Sequence, residues 1–337
     1  MSGRAFALAA LGLVACTGTG IQRTDLPEEP LAFVFRTETE AQERAEVLAR
    51  AEGRGEPRRR PGEGHVRLED VGGWFGLDQS REERRAAMLG RLAFFDLRDD
   101  EISIAPFALP GARPLDWSPD HERLLLSSLR GGSQQLYEWS RSDDHLRAVT
   151  HGPAVHPTGC YGPEGRIAYV SIEHGPRGSR SRVFVAGRGG AGARPITPGP
   201  TDGAPSWAPD GSVIVYEVSP HRPNARIAVI DPEGGEPRII ARGRRPVFTP
   251  DGKWVVYSAP TSRGWRLRRM RPDGSGKMTI GGTAPGEEHA PTVSPDGRFV
   301  AYVVERGDRQ QLRLRALDGS GDRPLLNHGD GISPAWN

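Results

Sequence analysis

The sequence predicts an all-β protein, a six-bladed β-propeller with four-stranded blades. The first observation is a turn phrase that recurs at residues 117–120, 161–165, 207–211, 248–252 and 293–297. The second observation is the spacing of the prolines in this phrase, which are 41 to 46 residues apart. This period is typical of propeller blades rather than helical repeats. The third observation is that segments near the two ends of the chain supply the strands of a sixth blade.

The turn phrase predicts the two inner strands of each blade, which we name A and B from the channel outward. Proline presets φ, aspartate bonds back to the backbone, and glycine accepts a positive φ, so the phrase forms a tight turn. An aromatic or apolar residue precedes each turn and ends strand A. Apolar runs follow the turns and predict the B strands, at 124–126, 167–170, 213–216, 254–257 and 299–304.

A third run in each unit predicts strand C, at 136–139, 183–185, 227–230, 267–270 and 312–317. Turn residues and a short fourth run, strand D, follow it. We place Pro195, Pro237 and Pro324 in this fourth strand. Because proline cannot donate a ladder hydrogen bond, strand D is predicted to be the outer edge of the blade.

The sixth blade is predicted to close the ring. Five units end near residue 331, and residues 332–336 then read as one more strand A, with Trp336 in the aromatic position. Residues 31–35, 91–96 and 101–104 resemble strands B, C and D of the other units. Joining the C-terminal strand to these three N-terminal strands leaves no exposed first or last blade.

The predicted propeller spans residues 31–337 and is interrupted at about 37–90 by a small insertion. A charged, alanine-rich stretch at 37–51 and a second one at 79–89 predict helices, and 53–64 is rich in Gly, Pro, Arg and Glu, which favours a loop. We interpret the insertion as a decoration of the propeller rim.

The N-terminal segment predicts export and a lipid anchor. Residues 5–15 form an apolar run typical of a signal peptide, and Leu-Val-Ala-Cys at 13–16 resembles the bacterial lipobox. We therefore expect a signal peptide at 1–15, lipidation of Cys16 and a tether at 16–30. The residue after the cysteine is Thr17, which does not resemble the acidic residue that signals retention in the inner membrane. It therefore favours the outer membrane. The alternative is an ordinary secretory signal with an incidental cysteine.

At its repeats the chain resembles the TolB-like propeller family, and 205–211 and 291–297 are its closest copies of the family phrase. The resemblance covers nearly all of the chain from Ala32 onward. It implies a monomeric propeller that binds a protein or polymer partner in the cell envelope. The family's TolB protein also has an α/β domain before its propeller, for which 16–31 has no room, and this departure argues against a role inside the Tol machinery but not against binding in the cell envelope.

Polar residues precede the predicted A strands, in the loops that connect strand D of one blade to strand A of the next. Such loops emerge at one mouth of the channel, so they predict a ligand-binding set: His151, His156, Asp202, Glu288, His289, His328 and Asp330, with Glu287 beside them. Histidine and carboxylate groups could also hold a metal, as in a metal-dependent propeller enzyme such as a polysaccharide lyase. Otherwise they bond turn backbones or line a hydrated channel.

The favoured function is non-catalytic binding, without a cofactor. The chain has no Gly-x-Ser-x-Gly elbow, and its formal net charge of +2 gives no overall field for nucleic acid. The run Arg58-Arg-Arg60 is a local basic cluster that we interpret as solvated. A third hypothesis treats the propeller as structural packing within an envelope complex.

Overall fold

The computed structural model describes residues 21, 26–36, 91–99, 101–105, 107, 109–176, 178–219, 224–282, 285–307, 309–326 and 330–336. The predicted signal peptide, Cys16 and the predicted insertion lie outside these residues. Among the described residues, no helix is both long and apolar enough to cross a membrane.

Twenty-four strands make up the described fold, and the first three are β1 (Leu31–Arg36), β2 (Arg91–Asp96) and β3 (Glu101–Ile104). Blade 1 has β4 (Arg113–Trp117), β5 (Arg123–Ser128), β6 (Gln135–Ser140) and β7 (Leu146–Ala148). Blade 2 has β8 (Gly159–Tyr161), β9 (Ile167–Gly175), β10 (Gly178–Ala186) and β11 (Arg194–Pro195). Blade 3 has β12 (Asp202–Trp207), β13 (Ile214–Val218), β14 (Arg226–Ile230) and β15 (Arg238–Arg242).

Blade 4 has β16 (Arg244–Phe248), β17 (Val255–Thr261), β18 (Gly264–Met270) and β19 (Met278–Thr279). Blade 5 has β20 (Glu287–Val293), β21 (Phe299–Arg306), β22 (Arg309–Ala316) and β23 (Arg323–Pro324). The chain returns to the first three strands through β24 (Asp330–Trp336). In blades 1 to 5 the strands follow one another in space as they do in sequence, each antiparallel to its neighbour.

Blade 6 has the strand order β24-β1-β2-β3, so the predicted ring closure is confirmed. β1 is paired on both edges, with Ala32 opposite Ala335 of β24 and opposite Phe94 of β2. The indole Nε1 of Trp336 donates a hydrogen bond to the Glu29 carbonyl at 3.2 Å. These contacts fasten the two distant parts of the chain to each other.

The apolar core lies between blades, because each sheet is apolar on both faces in its B and C strands. Leu124 and Leu126 of β5 are fully buried and pack in one cluster with Ala32 and Leu92 of blade 6. Burying a leucine side chain contributes about 1.5 to 3 kcal/mol. The continuous apolar runs that predicted the B strands are therefore the contacts that join one blade to the next.

The turn phrase forms the hydrogen bonds that its residue types predict. In blade 5, Ser294 Oγ accepts a hydrogen bond from Phe299 N–H at 2.9 Å and donates one to Asp296 Oδ1 at 2.6 Å. Gly297 has φ of 70°, a left-handed value that favours glycine. The phrase therefore joins strands A and B, and in this blade its serine and aspartate stabilise the turn.

The D strands are short outer edges, as predicted. Pro195 lies in β11 and Pro324 in β23, whereas Pro237 precedes β15 instead of lying within it. The pairing of β15 with β14 runs from Arg238, opposite Val229.

Candidate functional site

The A strands are the innermost strands of the ring, and most of them contain a bulge. The pairing register between strands A and B shifts within β4, β12, β16 and β20, and in the pair of β24 with β1. At three of these bulges a residue other than glycine has a left-handed backbone, with φ of 34° at Ala204, 51° at Arg245 and 47° at Ala290. A bulge bends its strand and redirects the residues after it, here along the channel wall.

A proline follows directly after each of these three residues. Each of these prolines lies two positions before the residue that ends its A strand: Pro205 before Trp207, Pro246 before Phe248 and Pro291 before Val293. Blade 6 has the same spacing, with Pro334 before Trp336. In blade 3, Ala208 N–H donates to Val213 O across the sheet, so the nitrogens of Trp207 and Pro205 are on the opposite, inner edge. Since proline has no N–H, the inner edges lack a donor at these positions.

The residue just before the aromatic position links each of four blades to the next. The linking hydrogen bonds run from Tyr161 N–H to Asp116 Oδ2 (2.7 Å), from Trp207 N–H to the Cys160 sulfur, from Phe248 N–H to Ser206 Oγ (3.1 Å) and from Trp336 N–H to Thr292 Oγ1 (3.3 Å). The equivalent residues of the other two blades, Val247 and Ala335, have no side-chain acceptor. The inner edges of the blades are thus joined by side chains as well as by packing.

A cavity of about 720 Å³ occupies the channel and is lined by residues from all six A strands. It extends along the inner edges to the turns between strands A and B, where the five turn prolines contribute to its wall: Pro119, Pro163, Pro209, Pro250 and Pro295. Eleven of the lining residues are prolines, so the wall is rigid. The aromatic residues at the ends of the A strands are nearly buried between blades.

Asp116 is the one carboxylate among the described residues of the cavity wall. Its side chain is partly buried, and Oδ1 accepts a further hydrogen bond from Trp117 N–H at 3.0 Å. Removal from bulk water raises the pKa of the Asp116 carboxyl to about 7, although the bonds from Tyr161 N–H and Trp117 N–H oppose this rise. Burial also raises the pKa of the neighbouring Cys160 thiol, which is therefore a protonated, inert group.

The structure separates the two predicted histidines before blade 2. His151 is exposed. His156 is buried, with its Nδ1 at 3.3 Å from the Val170 carbonyl and its ring edge-on to Tyr169. Burial lowers the pKa of His156, so the ring is neutral at pH 7. Its contacts are those of a residue that fixes the loop to strand β9.

Asp202 and Glu288 are both buried, and both accept hydrogen bonds from backbone N–H groups. Asp202 Oδ2 accepts one from Gly199 N–H at 2.9 Å, and burial raises the pKa of this carboxyl. Glu288 Oε2 accepts one from Leu267 N–H at 2.8 Å, and its Oε1 forms an ion pair with Arg315 at 2.7 Å. These contacts hold the connections between successive blades.

His289 lies between two carboxylates, with its Nε2 at 3.5 Å from Glu287 and at 3.8 Å from Glu305. Asp330 begins β24, and its backbone pairs with Arg36 of β1, while His328 is outside the described residues. Within the described ranges, no three His, Cys, Asp or Glu side chains are arranged to hold a metal ion. Ligand binding by the predicted set stays a prediction.

Neither Asp116 nor the side of the channel on which the cavity lies was predicted from the sequence. A signal was present, because Asp116 occupies the position where other blades have Cys160, Ser206 and Thr292. The function of that position depends on a hydrogen bond to a residue about 45 positions later, which a local pattern does not reveal.

Curated relatives match parts of the chain, and no family model matches it. A Tol-Pal system protein TolB from Anaeromyxobacter dehalogenans is 35% identical over 94 residues, which are 27% of this chain and 20% of that protein. An uncharacterized protein from Agrobacterium fabrum is 27% identical over 186 residues, 51% of this chain and 59% of that one. The chain therefore matches less than two thirds of either relative.

The ring of six four-stranded blades around a lined channel defines a β-propeller. Among solved structures it is similar to TolB from Acinetobacter baumannii, with a TM-score of 0.65, 15% identity, and coverage of 91% of this chain and 66% of that one. A putative TolB from Agrobacterium tumefaciens has a TM-score of 0.60 and 22% identity, and the match covers 71% of this chain and 89% of that one. An oligogalacturonate lyase in complex with manganese has a TM-score of 0.52 and 14% identity, with coverage of 69% of this chain and 70% of that one. In fold, the chain is a TolB-like propeller.

Proposed function

We propose that this chain is a non-catalytic lipoprotein of the bacterial cell envelope, whose propeller binds a protein or polymer partner at a mouth of its channel. The observation that carries the proposal is the 720 Å³ cavity, which is lined by all six A strands and reaches the turns between strands A and B. The TolB-like fold supports a protein-binding role.

The rigid wall supports binding rather than catalysis. The prolines that line the cavity have fixed φ values, so little conformational entropy is lost when a ligand orders the wall. The histidines and carboxylates at the other mouth are instead spread over several blade connections, and the described ones are engaged in contacts such as that of Glu288 with Arg315. Recognition therefore has more physical support than acid–base or metal chemistry.

Site-specific photocrosslinking tests partner binding. A benzophenone amino acid is placed at His121 on the turn side of the channel, at His151 before blade 2, or at Met278 on an outer edge as the control. All three side chains are exposed. We expect a discrete adduct from His121 or His151 in cells, and none from Met278. Equal labelling at all three positions, or adducts at Met278 alone, would overturn the proposal.

Metabolic labelling with a fatty acid tests the lipid anchor separately. The proposal expects label on the wild-type protein and in the membrane fraction, and its loss in Cys16→Ala, because the alanine has no thiol to acylate. Cys160→Ala is the matched control, since its buried thiol is not a predicted acylation site. Label that persists in Cys16→Ala would contradict the lipoprotein assignment.

A further inference from the structure

Asp116 is an ionisable carboxyl at a position where neutral groups perform the same structural task. In blades 2, 3 and 5, a cysteine, a serine and a threonine accept the N–H of the next blade's aromatic residue. Asp116 does this for Tyr161. Removing a carboxylate from water costs more than removing a hydroxyl, so linking the blades does not require the charge.

The structure explains why Asp116 has a second acceptor oxygen, because this oxygen accepts a hydrogen bond from Trp117 N–H. It does not explain why the group should be ionisable. Trp117 N–H faces blade 6, where the equivalent linking residue is Ala335 and has no acceptor, and Asp116 Oδ1 accepts this hydrogen bond instead. Both partners of the carboxylate are neutral backbone N–H groups. Among the described residues, no basic side chain lowers its pKa through an ion pair.

The inner strand edges beside Asp116 are short of backbone hydrogen-bond donors. Proline occupies the position two residues before Trp207, Phe248, Val293 and Trp336, which removes inward N–H groups and leaves carbonyl acceptors. Arg113 and Arg245 also line the cavity, at the beginnings of their strands. Arg113 precedes the bulge of β4 and Asp116 follows it.

A carboxylate beside strand edges that present carbonyl acceptors is complementary to a donor-rich cation. We propose that the cavity binds a lysine or arginine side chain of the partner, with its ammonium or guanidinium group on the carboxylate of Asp116. This inference rests on the proposed function, because it names the part of the partner that enters the channel. A charge-assisted hydrogen bond in a partly desolvated site is stronger than a neutral one, and the cavity has room for a long side chain.

Small cations test the site directly. The full chain, labelled with ¹⁵N, is titrated with n-butylammonium, n-butylguanidinium and the neutral n-butanol, and the amide signals of Trp117 and Tyr161 are followed because both N–H groups bond Asp116. We expect both cations to shift these signals saturably and n-butanol to bind at least tenfold more weakly. A difference between the two cations identifies lysine or arginine as the preferred side chain.

Two variants separate charge from structure. Asp116→Ser and Asp116→Thr copy the neutral acceptors at Ser206 and Thr292, so they keep the bond from Tyr161 N–H, and both should lose at least tenfold in cation affinity. Glu122→Gln removes an exposed charge beside the same turn and should change the affinity less than twofold. Unchanged binding in the two Asp116 variants, or tighter binding of butyrate than of either cation, would overturn the inference.

Crosslinking from His121 in the Asp116→Ser background distinguishes this inference from the proposed function. Loss of the adduct, together with loss of cation binding, supports both. An adduct of unchanged yield overturns the cation site while the partner function stands. Charge-dependent cation binding in a protein that gives no adduct from either mouth would support the cation site and overturn the partner function.

Discussion

At the residue scale, glycines of the repeat meet two different physical requirements. Gly252 has φ of 68°, yet a Cβ added there would meet only Pro209 Cδ at 3.7 Å, an ordinary contact. Gly162 has an extended backbone with φ of −120°, but a Cβ would lie 2.3 Å from the Trp207 ring. The first glycine supplies a backbone conformation, and the second supplies space for the neighbouring blade.

The two alanine substitutions should therefore differ in cost. Gly252→Ala should lower the free energy of unfolding by about 1 kcal/mol, the cost of a left-handed alanine. Gly162→Ala should lower it by about 3 kcal/mol, because the ring must move. Urea unfolding measures both, with Gly175→Ala as the control, whose Cβ would have only a contact at 3.9 Å. Equal losses at Gly252 and Gly162 would contradict this assignment.

Asp116 should make stability depend on pH. Its pKa is about 7 in the folded protein against an ordinary value of 3.8, so the folded state holds the proton more tightly than the unfolded chain. Its contribution is complete below about pH 4 and is lost as pH rises through 7. The stability of the wild type relative to Asp116→Ser, measured by urea unfolding, should thus fall as pH rises from about 4 to about 7. A constant difference would contradict the raised pKa, and Asp116→Thr should repeat the trend.

At the scale of strands, a buried ionic cluster fastens blade 4 to blade 5. Arg315 of β22 donates to the carbonyls of Ile280 and Gly281 after β19, and it forms an ion pair with Glu288 of β20. Glu288 in turn accepts the N–H of Leu267 in β18. Both charged side chains are fully buried, so Glu288 depends on Arg315 for compensation, whereas Arg315 also pairs with Asp322 at 3.1 Å.

Removing one member of this pair should be costly. Glu288→Gln leaves the buried Arg315 guanidinium with Asp322, at 3.1 Å, as its remaining carboxylate partner, and the lost charged hydrogen bond should lower the free energy of unfolding by about 1.5 to 3 kcal/mol. The double variant Glu288→Leu with Arg315→Met removes both charges and should recover much of that loss. Calorimetric unfolding of the single and double variants measures this coupling. A double variant no more stable than Glu288→Gln would show that the ion pair is not the source of the cost.

Much of the strand order could be predicted from sequence, because the turn phrase and apolar runs act over a few neighbouring residues. β2 occupies 91–96 and β3 occupies 101–104, as predicted. The wall of the channel could not be predicted in the same way. The bulge at Ala204 and the bond from Tyr161 to Asp116 depend on the inner edge of the ring, which exists only after successive blades have packed together.

At the scale of the whole molecule, the ring depends on one late strand. β24 covers the edge of β1 that would otherwise be open, and Trp336 packs in the cluster that contains Leu31 and Phe33. An uncovered, apolar strand edge is a template for pairing with another chain.

Deleting residues 330–337 should therefore open the ring. The truncated chain should lose cooperative unfolding and form oligomers, because β1 then has a free edge. Thermal unfolding and size-exclusion chromatography measure the two effects, and deletion of Asn337 alone is the control. A monomeric truncated protein that unfolds at the wild-type temperature would contradict the role of β24.

The pairing of β24 with β1 also sets an order of events during synthesis. Leu31 pairs with Trp336, so translation at about 5 to 20 residues per second separates the appearance of the two partners by roughly 15 to 60 s. During this interval blades 1 to 5 can assemble, while the first strand has no inner neighbour. The ring therefore closes only when β1, the first strand synthesised, pairs with β24. A chaperone that shields 31–36 would act throughout this delay.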